Sequence, residues 1–324
     1  MTQWFNSNGW LKINVCVMLG VAFTAGGLQA TTLSHWSLQI NPDNVINVSQ
    51  PPFDARGDGA TVNTEALQRA IDFASAGLVT NGWFGGVVRI PAGTYLCGPL
   101  AMRSNVRLQL DSGAVVRLLD YNSYPGSPTN VAPFIHAAGL TNLAVTGAGI
   151  IDGQGAPWWP GYKTNSRPGI LYFSSCSQVL FQDFTISNPP TAHIIVKGNG
   201  GNIVFSGIKL LAPPSDDPIR PSHNTDGVDL AETNVLFKDC YISTGDDNIA
   251  IGSSASPSAD ILVTNCFFGE GHGLAIGSYT AGGVSNLTVV DCTFSNTGTG
   301  IRINLARPVT VLLGEMTIRI PTTP

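Results

Sequence analysis

Seven copies of one short phrase constrain the fold of this chain more than any other feature. Each copy begins with a polar residue, most often Asn, and continues with residues that alternate between apolar side chains and others. The second residues of successive copies are 37, 36, 24, 32, 26 and 26 positions apart. The copies lie at residues 105–108, 142–145, 178–181, 202–205, 234–237, 260–263 and 286–289.

A unit that recurs at such intervals is typical of a solenoid, in which each coil stacks on the previous one. The spacing varies early and becomes regular late, as expected when the turns carry insertions of different length. It is too irregular for a propeller, and the leucine pattern of a horseshoe is absent. The sequence therefore predicts an all-β chain, a right-handed parallel β-helix that forms a single domain over residues 51–324.

The composition agrees with this prediction. Only 11% of the residues are charged and 37 are Gly, which suits short strands joined by turns. A length of 324 residues would by itself favour two domains, but a solenoid grows by adding coils rather than cores. The formal net charge of −5 argues against a nucleic-acid partner, which requires a basic face.

The first thirty residues have the features of an export signal. Lys12 supplies a weak positive region, residues 15–25 form an uncharged apolar run, and Ala30 is a small residue before the expected cleavage point. The run is shorter than the roughly 20 residues of a membrane span, and an uncleaved anchor is the alternative. We expect residues 1–30 to be removed, leaving a secreted or periplasmic protein without a membrane partner and residues 31–50 as an extended lead-in.

Residues 64–75 have the apolar spacing of an amphipathic helix. Asn63 is its predicted N-cap, Glu65 lies favourably in the first turn, and Gly77 ends it. A short helix at this point would cover the unpaired strand edges at the N-terminal end of the solenoid. Its predicted buried face consists of Leu67, Ala70, Ile71 and Ala74.

Five cysteines remain if Cys16 leaves with the signal. Cys240, Cys266 and Cys292 are 26 residues apart, which places them at equivalent positions of successive coils. We expect buried thiols that pack as small apolar groups, with a disulfide as the alternative. A zinc site is not expected, because no Cys-x-x-Cys pair accompanies them.

Four polar segments recur in step with the coils. Aligned on their apolar positions, they place Asp226, Asp247, His272 and Thr299 in one column, at steps of 21, 25 and 27 residues. Neighbouring coils are about 4.8 Å apart, so groups in one column lie on one face and close together. The segments are residues 224–229, 245–252, 271–277 and 298–304.

Three carboxylates, Asp226, Asp246 and Asp247, belong to this region. Crowding raises the pKa of at least one of them, so one group can donate a proton while its neighbours stay ionised. Glycoside hydrolysis needs such an acid together with a base or a nucleophile. A calcium site and solvated turn aspartates are the alternatives. Asp246 and Asp247 face the same side only if the backbone bends, and Gly245 would allow the bend.

His272 and Arg302 complete the set of candidate residues. His272 lies between two glycines, and we expect it to hydrogen bond to the acid pair and to tune its charge. Arg302 falls on the column of Asp229, where a guanidinium would bind a uronate carboxylate or, alternatively, pair with one of the aspartates.

Two further features border the predicted site. Residues 213–223 are rich in proline and acids, which predicts a surface loop that serves either as a connector or as a substrate contact. Trp83, Trp158 and Trp159 are candidates for stacking on sugar rings, with burial in the core as the alternative.

The four segments resemble the signature motifs of polygalacturonases, glycoside hydrolase family 28. The resemblance covers about residues 50–304 and includes the opening at 53–59, the turn at 91–95 and the stretch at 147–153. It implies a pectin-lyase-like β-helix whose substrate is a pectic polysaccharide. The matching motifs are Asn-Thr-Asp at 224–226, Gly-Asp-Asp at 245–247, Gly-His-Gly at 271–273 and Arg-Ile at 302–303.

The resemblance also implies a mechanism: inverting hydrolysis of α-1,4-linked galacturonan by a monomer, with no metal and no cofactor. Asp246 would be the general acid, Asp226 and Asp247 would activate the water, and His272 would support protonation of the acid. Inversion requires carboxyl groups about 6.5–9.5 Å apart, which leaves room for that water.

Substrate binding is assigned by the same resemblance to Arg302, Asn224, Gly273 and Asn304. The family's fourth motif is usually Arg-Ile-Lys, and Asn304 stands in place of the lysine, which weakens the expected uronate contact. The sequence ends 20 residues later, whereas the family continues for several coils. We therefore expect a shortened form of a longer enzyme that lacks C-terminal coils.

Three other functions are compatible with such a chain. A pectate lyase would use calcium and a basic residue to eliminate rather than hydrolyse. A non-catalytic carbohydrate-binding β-helix would bind galacturonan without turnover. Within the family, hydrolysis of rhamnogalacturonan or xylogalacturonan is the nearest alternative.

Overall fold

The chain winds through three parallel sheets, and each full coil passes from sheet 1 to sheet 2, then to sheet 3 and back to sheet 1. The computed structural model describes residues 36–77, 82–253 and 256–304, and the backbone of 316–319. The architecture is the predicted right-handed parallel β-helix. The predicted export signal at 1–30 lies outside the described residues.

Within the described residues, sheet 1 has ten strands, sheet 2 has nine and sheet 3 has eight, and neighbouring strands of each sheet pair in parallel. Sheet 1 comprises Val45–Asn47, Gly86–Ile90, Val106–Leu110, Thr141–Thr146, Ser177–Gln182, Gly201–Ser206, Thr233–Lys238, Ser258–Thr264, Val284–Val290 and Met316–Arg319. Sheet 2 comprises Asp58–Val62, Gly93–Cys97, Ala114–Leu118, Ile150–Asp152, Thr185–Ser187, Lys209–Leu211, Tyr241–Ser243, Phe267–Phe268 and Thr293–Phe294. Sheet 3 comprises Leu100–Ala101, Ile135–Ala138, Leu171–Ser174, Ile194–Lys197, Val228–Ala231, Ile249–Ser253, Leu274–Thr280 and Ile301–Ile303.

The recurring phrase marks the entry to sheet 1. Its polar first residues all have φ between 50° and 65°, a left-handed conformation that Asn and Asp tolerate better than other side chains. Their side chains also bond from coil to coil: Asn142 Nδ2 donates to Asn105 Oδ1 at 2.8 Å. The second residues pair with one another throughout, so the alignment made from the sequence is confirmed. They are Val106, Leu143, Val179, Ile203, Val235, Ile261 and Leu287.

The predicted helix is present at Thr64–Ser75, and the four residues predicted for its inner face are buried. Ala76 caps its C-terminus, with Gly77 following. Asn63 precedes the helix but does not cap it through its side chain. Its amide instead binds the backbone N–H and C=O of Arg56, because the chain folds back on itself there.

Two other local elements complete the description. The predicted lead-in contributes Val45–Asn47, which joins sheet 1 beside Gly86–Ile90. A 3₁₀ turn spans Trp159–Gly161. In the described ranges no helix is both long enough and apolar enough to cross a membrane.

The interior of the solenoid is built from side chains that stack in columns. Phe205 is fully buried between Phe181 and Phe237, with ring centroids 5.0 and 4.3 Å apart. The described cysteines are free thiols, and all but Cys292 are buried. The sequence prediction of thiols rather than disulfides is therefore confirmed for this part of the chain.

Glu232 is an unusual member of this interior. It connects sheet 3 to sheet 1, is 2% exposed, and accepts the Gly200 N–H on Oε2 at 3.0 Å. Its Oε1 is buried without a hydrogen-bond partner among the described residues. Burial raises the pKa of Glu232 to about 7, because the low-dielectric interior disfavours the charged form.

A pH dependence of stability follows from this residue. The pKa of Glu232 is higher in the folded chain than in the unfolded chain. The contribution of Glu232 to folding stability is therefore fully retained below about pH 4.5 and is lost as the pH rises towards 7. Glu232→Gln removes the ionisable group. We expect the change in the free energy of unfolding that this substitution causes to be about 2 kcal/mol more favourable at pH 8 than at pH 4.5. Denaturant titrations at both pH values measure this difference. The exposed Glu65→Gln serves as the control, and equal effects in both variants would contradict the assignment.

Candidate active site

The candidate residues lie in the turns that lead from sheet 2 into sheet 3. Val228, Ile249, Leu274 and Ile301 pair in sequence as the first residues of adjacent sheet 3 strands. The residues two positions before them are therefore equivalent in space. These are Asp226, Asp247, His272 and Thr299, so the column predicted from the sequence is confirmed by the strand register.

The turn that carries Asp246 and Asp247 is fixed by Asn248, which the sequence analysis did not single out. Asn248 is completely buried, and its Nδ2 donates to the Glu270 carbonyl at 2.8 Å. Its Oδ1 accepts the Gly273 N–H at 2.8 Å. One buried amide therefore ties the acid pair to the neighbouring coil that holds the histidine.

Gly245 is needed at this turn for a different reason from the predicted one. Its φ does not lie in the left-handed region, but a Cβ there would meet the Ser222 carbonyl oxygen at 2.2 Å. The Gly245 N–H donates to Thr225 Oγ1 at 2.9 Å. The glycine thus allows two coils to approach closely, rather than providing a sharp bend.

His272 brings the two adjacent carboxylates together. Its Nδ1 lies 3.0 Å from Asp246 Oδ1 and 3.4 Å from Asp247 Oδ1. Gly271 and Gly273 have φ of 127° and 82°, and this backbone turn directs the imidazole towards the acids. Asp246, followed by Asp247, raises the pKa of His272 to about 10, so the imidazole is charged at neutral pH.

The carboxylates have opposite pKa shifts. Burial, followed by the charges of Asp229, Asp246 and Asp247, raises the pKa of Asp226 well above its ordinary value. Burial acts in the same direction on Asp246, but the hydrogen bond and charge of His272 outweigh it and lower the pKa of Asp246. In the substrate-free chain Asp226 therefore binds a proton more readily than Asp246 does.

Arg302 lies where the sequence placed it, in register with Ala275, Ala250 and Asp229 on the outer face of sheet 3. Its Nη2 forms an ion pair with Asp247 Oδ1. Of the two partners that the sequence left open, the structure shows the aspartate. The guanidinium of Arg302 therefore borders the carboxylate cluster.

The other predicted substrate-binding residues occupy different environments. Asn224 is exposed and its Nδ2 donates to Asp246 Oδ2 at 3.3 Å. Gly273 is buried with its N–H engaged by Asn248, so it shapes the turn and offers no free N–H to a ligand. Asn304 follows the strand Ile301–Ile303, where its N–H donates to the Ile276 carbonyl at 2.7 Å.

The sequence matches the family model described as glycosyl hydrolases family 28 over residues 86–317. The chain belongs to glycosyl hydrolase family 28. A probable polygalacturonase of Arabidopsis thaliana is 33% identical over 280 residues, which cover 83% of this chain and 57% of that protein. The chain spans between about half and two-thirds of the length of five curated polygalacturonase relatives that it matches.

Two solved structures show the same fold. A hyperthermoactive exopolygalacturonase from Thermotoga maritima superposes with a TM-score of 0.70 and 26% identity, covering 83% of this chain and 70% of its own. A polygalacturonase from Erwinia carotovora ssp. carotovora gives a TM-score of 0.71 and 25% identity, covering 88% and 77% respectively.

Two titratable residues beside this family 28 site, Asp229 and His193, have no role in the motif assignments. Asp229 has its pKa raised to about 6 by burial and by the charges of Asp247 and Asp246, with Lys197 opposing the shift. His193 is fully buried under Asp226, and its Nδ1 lies 2.9 Å from the Asp226 carbonyl oxygen. Asp229 could have been identified from the sequence, because it shares a column with Arg302. His193 could not, because its coil carries no polar motif.

The tryptophans and the described cavity do not belong to the carboxylate cluster. Trp158 and Trp159 are 0% and 3% exposed, so burial was the correct alternative for both, whereas Trp83 is partly exposed. A cavity of about 670 Å³ lies where sheet 2 strands end, and it is lined by Arg117, Asp152, Trp159 and Arg220 among others. None of the predicted catalytic residues lines it.

The same cluster contains donors of the kind that bind metals. Ligand atoms of Asp246, Asp247 and His272 lie within 4.8 Å of one another. The two carboxylates raise the pKa of His272, so a cation bound there would have to displace a proton from the imidazole. Arg302 also occupies Asp247.

Proposed function

We propose that this chain carries the catalytic centre of a secreted hydrolase that cleaves α-1,4-galacturonosyl linkages of polygalacturonan with inversion and without a metal. The observation that carries the proposal is the contact of the His272 imidazole with both Asp246 and Asp247. This acid pair lies one coil from Asp226. Two carboxylates of unequal proton affinity are what glycoside hydrolysis requires. The similarity to a probable polygalacturonase and to an exopolygalacturonase supports the pectic substrate.

In this mechanism Asp246 protonates the leaving glycosidic oxygen, and Asp226 and Asp247 activate the attacking water. His272 stores the proton 3.0 Å from Asp246 Oδ1. A bound sugar displaces water from the half-buried Asp246, and desolvation raises the pKa of a carboxyl group. The proton can then pass from His272 to Asp246 as the substrate enters. In the same mechanism Arg302, which lies beside Asp247, would bind a uronate carboxylate of the substrate.

The test is an assay of the purified chain on polygalacturonate in EDTA, with reducing ends and ultraviolet absorbance recorded together. We expect reducing ends to form without new absorbance and at the rate seen without EDTA. Absorbance that EDTA abolishes would indicate a calcium-dependent lyase instead. Binding without either signal would identify a non-catalytic module, and activity confined to rhamnogalacturonan or xylogalacturonan would change the substrate.

Two further measurements address the finer parts of the proposal. Proton NMR of the first product formed distinguishes the inverted from the retained anomer. Recovery of the chain from the culture medium, with Thr31 as its first residue, tests export and signal removal.

A further inference from the structure

Arg167 joins three successive turns on the edge of the carboxylate cluster. It lies in the turn before the strand Leu171–Ser174, and its Nη1 donates to the Pro190 carbonyl at 2.9 Å and to the His223 carbonyl at 2.8 Å. Its Nη2 donates to Asn224 Oδ1 at 3.0 Å. One half-buried guanidinium therefore satisfies acceptors from both following coils.

The contact with Asn224 determines how that side chain meets Asp246. An amide oxygen only accepts and an amide nitrogen only donates. Because Arg167 holds the oxygen of Asn224, the NH₂ group must face the other way, where it donates to Asp246 Oδ2 at 3.3 Å. Asp246 is thus held on both oxygens, by His272 on Oδ1 and by Asn224 on Oδ2.

The segment that carries Asn224 is anchored on its other side as well. The ring of His223 stacks on Tyr162 with centroids 4.2 Å apart. Thr191 Oγ1 donates to the Asn224 carbonyl at 3.1 Å. These contacts fix the backbone around Asn224, so Arg167 is left to determine the orientation of its amide.

Arg167 also supplies positive charge on the side of the cluster opposite Arg302. Arg302 pairs with Asp247, whereas Arg167 interacts electrostatically with Asp226 and Asp246. Burial lowers the pKa of Arg167, and the two carboxylates oppose that shift. A guanidinium stays protonated throughout the working range of pH, so its charge is permanent.

We propose that Arg167 is a positioning residue of the active site, which orients the Asn224 amide towards Asp246 and favours the ionised forms of Asp226 and Asp246. The inference rests on the proposed hydrolase function for its kinetic consequences. It assigns a role to a residue outside the four motifs, and it is independent of which pectic polysaccharide is cleaved.

Arg167→Gln is expected to lower kcat about 10–100-fold with little change in KM, because the acid loses its alignment but the sugar contacts remain. Removing the positive charge raises the pKa of the nearby carboxylates. The acid limb of the kcat/KM profile should therefore move to higher pH by about one unit. Arg167→Lys keeps the positive charge, so the acid limb should return to its original pH. The variant should not restore kcat, because an ammonium lacks the planar set of N–H donors of a guanidinium.

A double-mutant cycle with Asn224→Ala separates positioning from a general loss of stability. If Arg167 acts through Asn224, the double variant should be little worse than the more damaging single variant. The matched control is Arg117→Gln, which removes a partly exposed arginine paired with Asp152 outside the cluster and should leave kcat and the pH profile unchanged. Fully additive losses, or an unmoved acid limb in Arg167→Gln, would overturn the proposal.

The inference can be tested even if the hydrolase function fails. Carbon-13 NMR titration of labelled aspartate carboxyl groups reports the midpoints of Asp226 and Asp246 in the folded chain without turnover. We expect both midpoints to rise in Arg167→Gln and to stay in place in Arg117→Gln. Hydrolysis absent from the unaltered chain, together with shifted midpoints, would refute the function but retain the role of Arg167. Unshifted midpoints would refute that role.

Discussion

Replacing Asp246 by Asn is expected to lower kcat on polygalacturonate by about 10²–10⁴-fold, the usual contribution of a general acid. The amide has nearly the same size and can still accept from Asn224, so the fold should be retained. It cannot receive the proton that His272 Nδ1 holds 3.0 Å away. Reducing-end assays and a thermal melt of the same preparation measure both parts of the prediction.

The control for this variant is Asp291→Asn. Asp291 is exposed and lies in the turn between sheets 1 and 2, away from the carboxylate cluster, so the same chemical change should leave kcat unchanged. A loss of activity in both variants would point to the net charge of the protein rather than to acid catalysis.

The opposite pKa shifts of Asp226 and Asp246 make a second comparison necessary. An aryl galacturonide with an acidic leaving group needs little protonation as its bond breaks. If Asp246 is the acid, Asp246→Asn should lose far less activity on the aryl substrate than on the polymer, and Asp226→Asn should lose similarly on both. The reverse pattern would transfer the role of acid to Asp226, because burial raises the pKa of its carboxyl group well above the ordinary value.

The fold was predictable because its main determinants repeat in the sequence. The left-handed residue at the entry to sheet 1 strongly favours Asn or Asp, and the residue after it must be apolar to fill the interior. Both requirements recur once per coil, so spacing alone revealed the register. The column of Asp226, Asp247 and His272 followed from the same periodicity.

The contacts within the site were less predictable because they depend on turns of unequal length. Arg167 lies in the turn at 153–170 and meets Asn224 across two coils, a pairing that no repeat encodes. Gly245 illustrates the same difficulty. A glycine is needed there because a side chain would collide with Ser222 of another turn, and not because of the φ of Gly245. The choice of Asp247 as the partner of Arg302 likewise depends on side-chain geometry that the register leaves open.

Replacing Phe205 by Ala is expected to destabilise the chain by about 3–5 kcal/mol, the usual loss for a fully buried aromatic side chain. Phe205 stacks on Phe237 at 4.3 Å and on Phe181 at 5.0 Å, so truncation leaves a cavity between two rigid rings. Denaturant titration followed by fluorescence and by circular dichroism measures the change in the free energy of unfolding.

Tyr241→Ala is the matched comparison. Tyr241 stacks on Phe267 at 5.1 Å with nearly parallel rings, but it is 40% exposed on the outer face of sheet 2. Removal of an exposed stacked ring should cost only about 0.5–1.5 kcal/mol. Equal losses in the two variants would show that ring stacking, rather than exclusion of water from the interior, stabilises the solenoid.

The effect of Phe205→Ala should also reach the active site. In a solenoid each coil is stabilised by its direct neighbours, so a cavity at Phe205 weakens the coil that continues through Lys209–Leu211 into the turn of Asp226. In the proposed mechanism Asp226 acts together with Asp246 and Asp247. Activity should therefore fall at denaturant concentrations below the unfolding midpoint in Phe205→Ala. In Tyr241→Ala, activity should be lost at the same denaturant concentration at which the chain unfolds. Loss of activity at the same point as unfolding in both variants would show that the stacked coils unfold as a single cooperative unit.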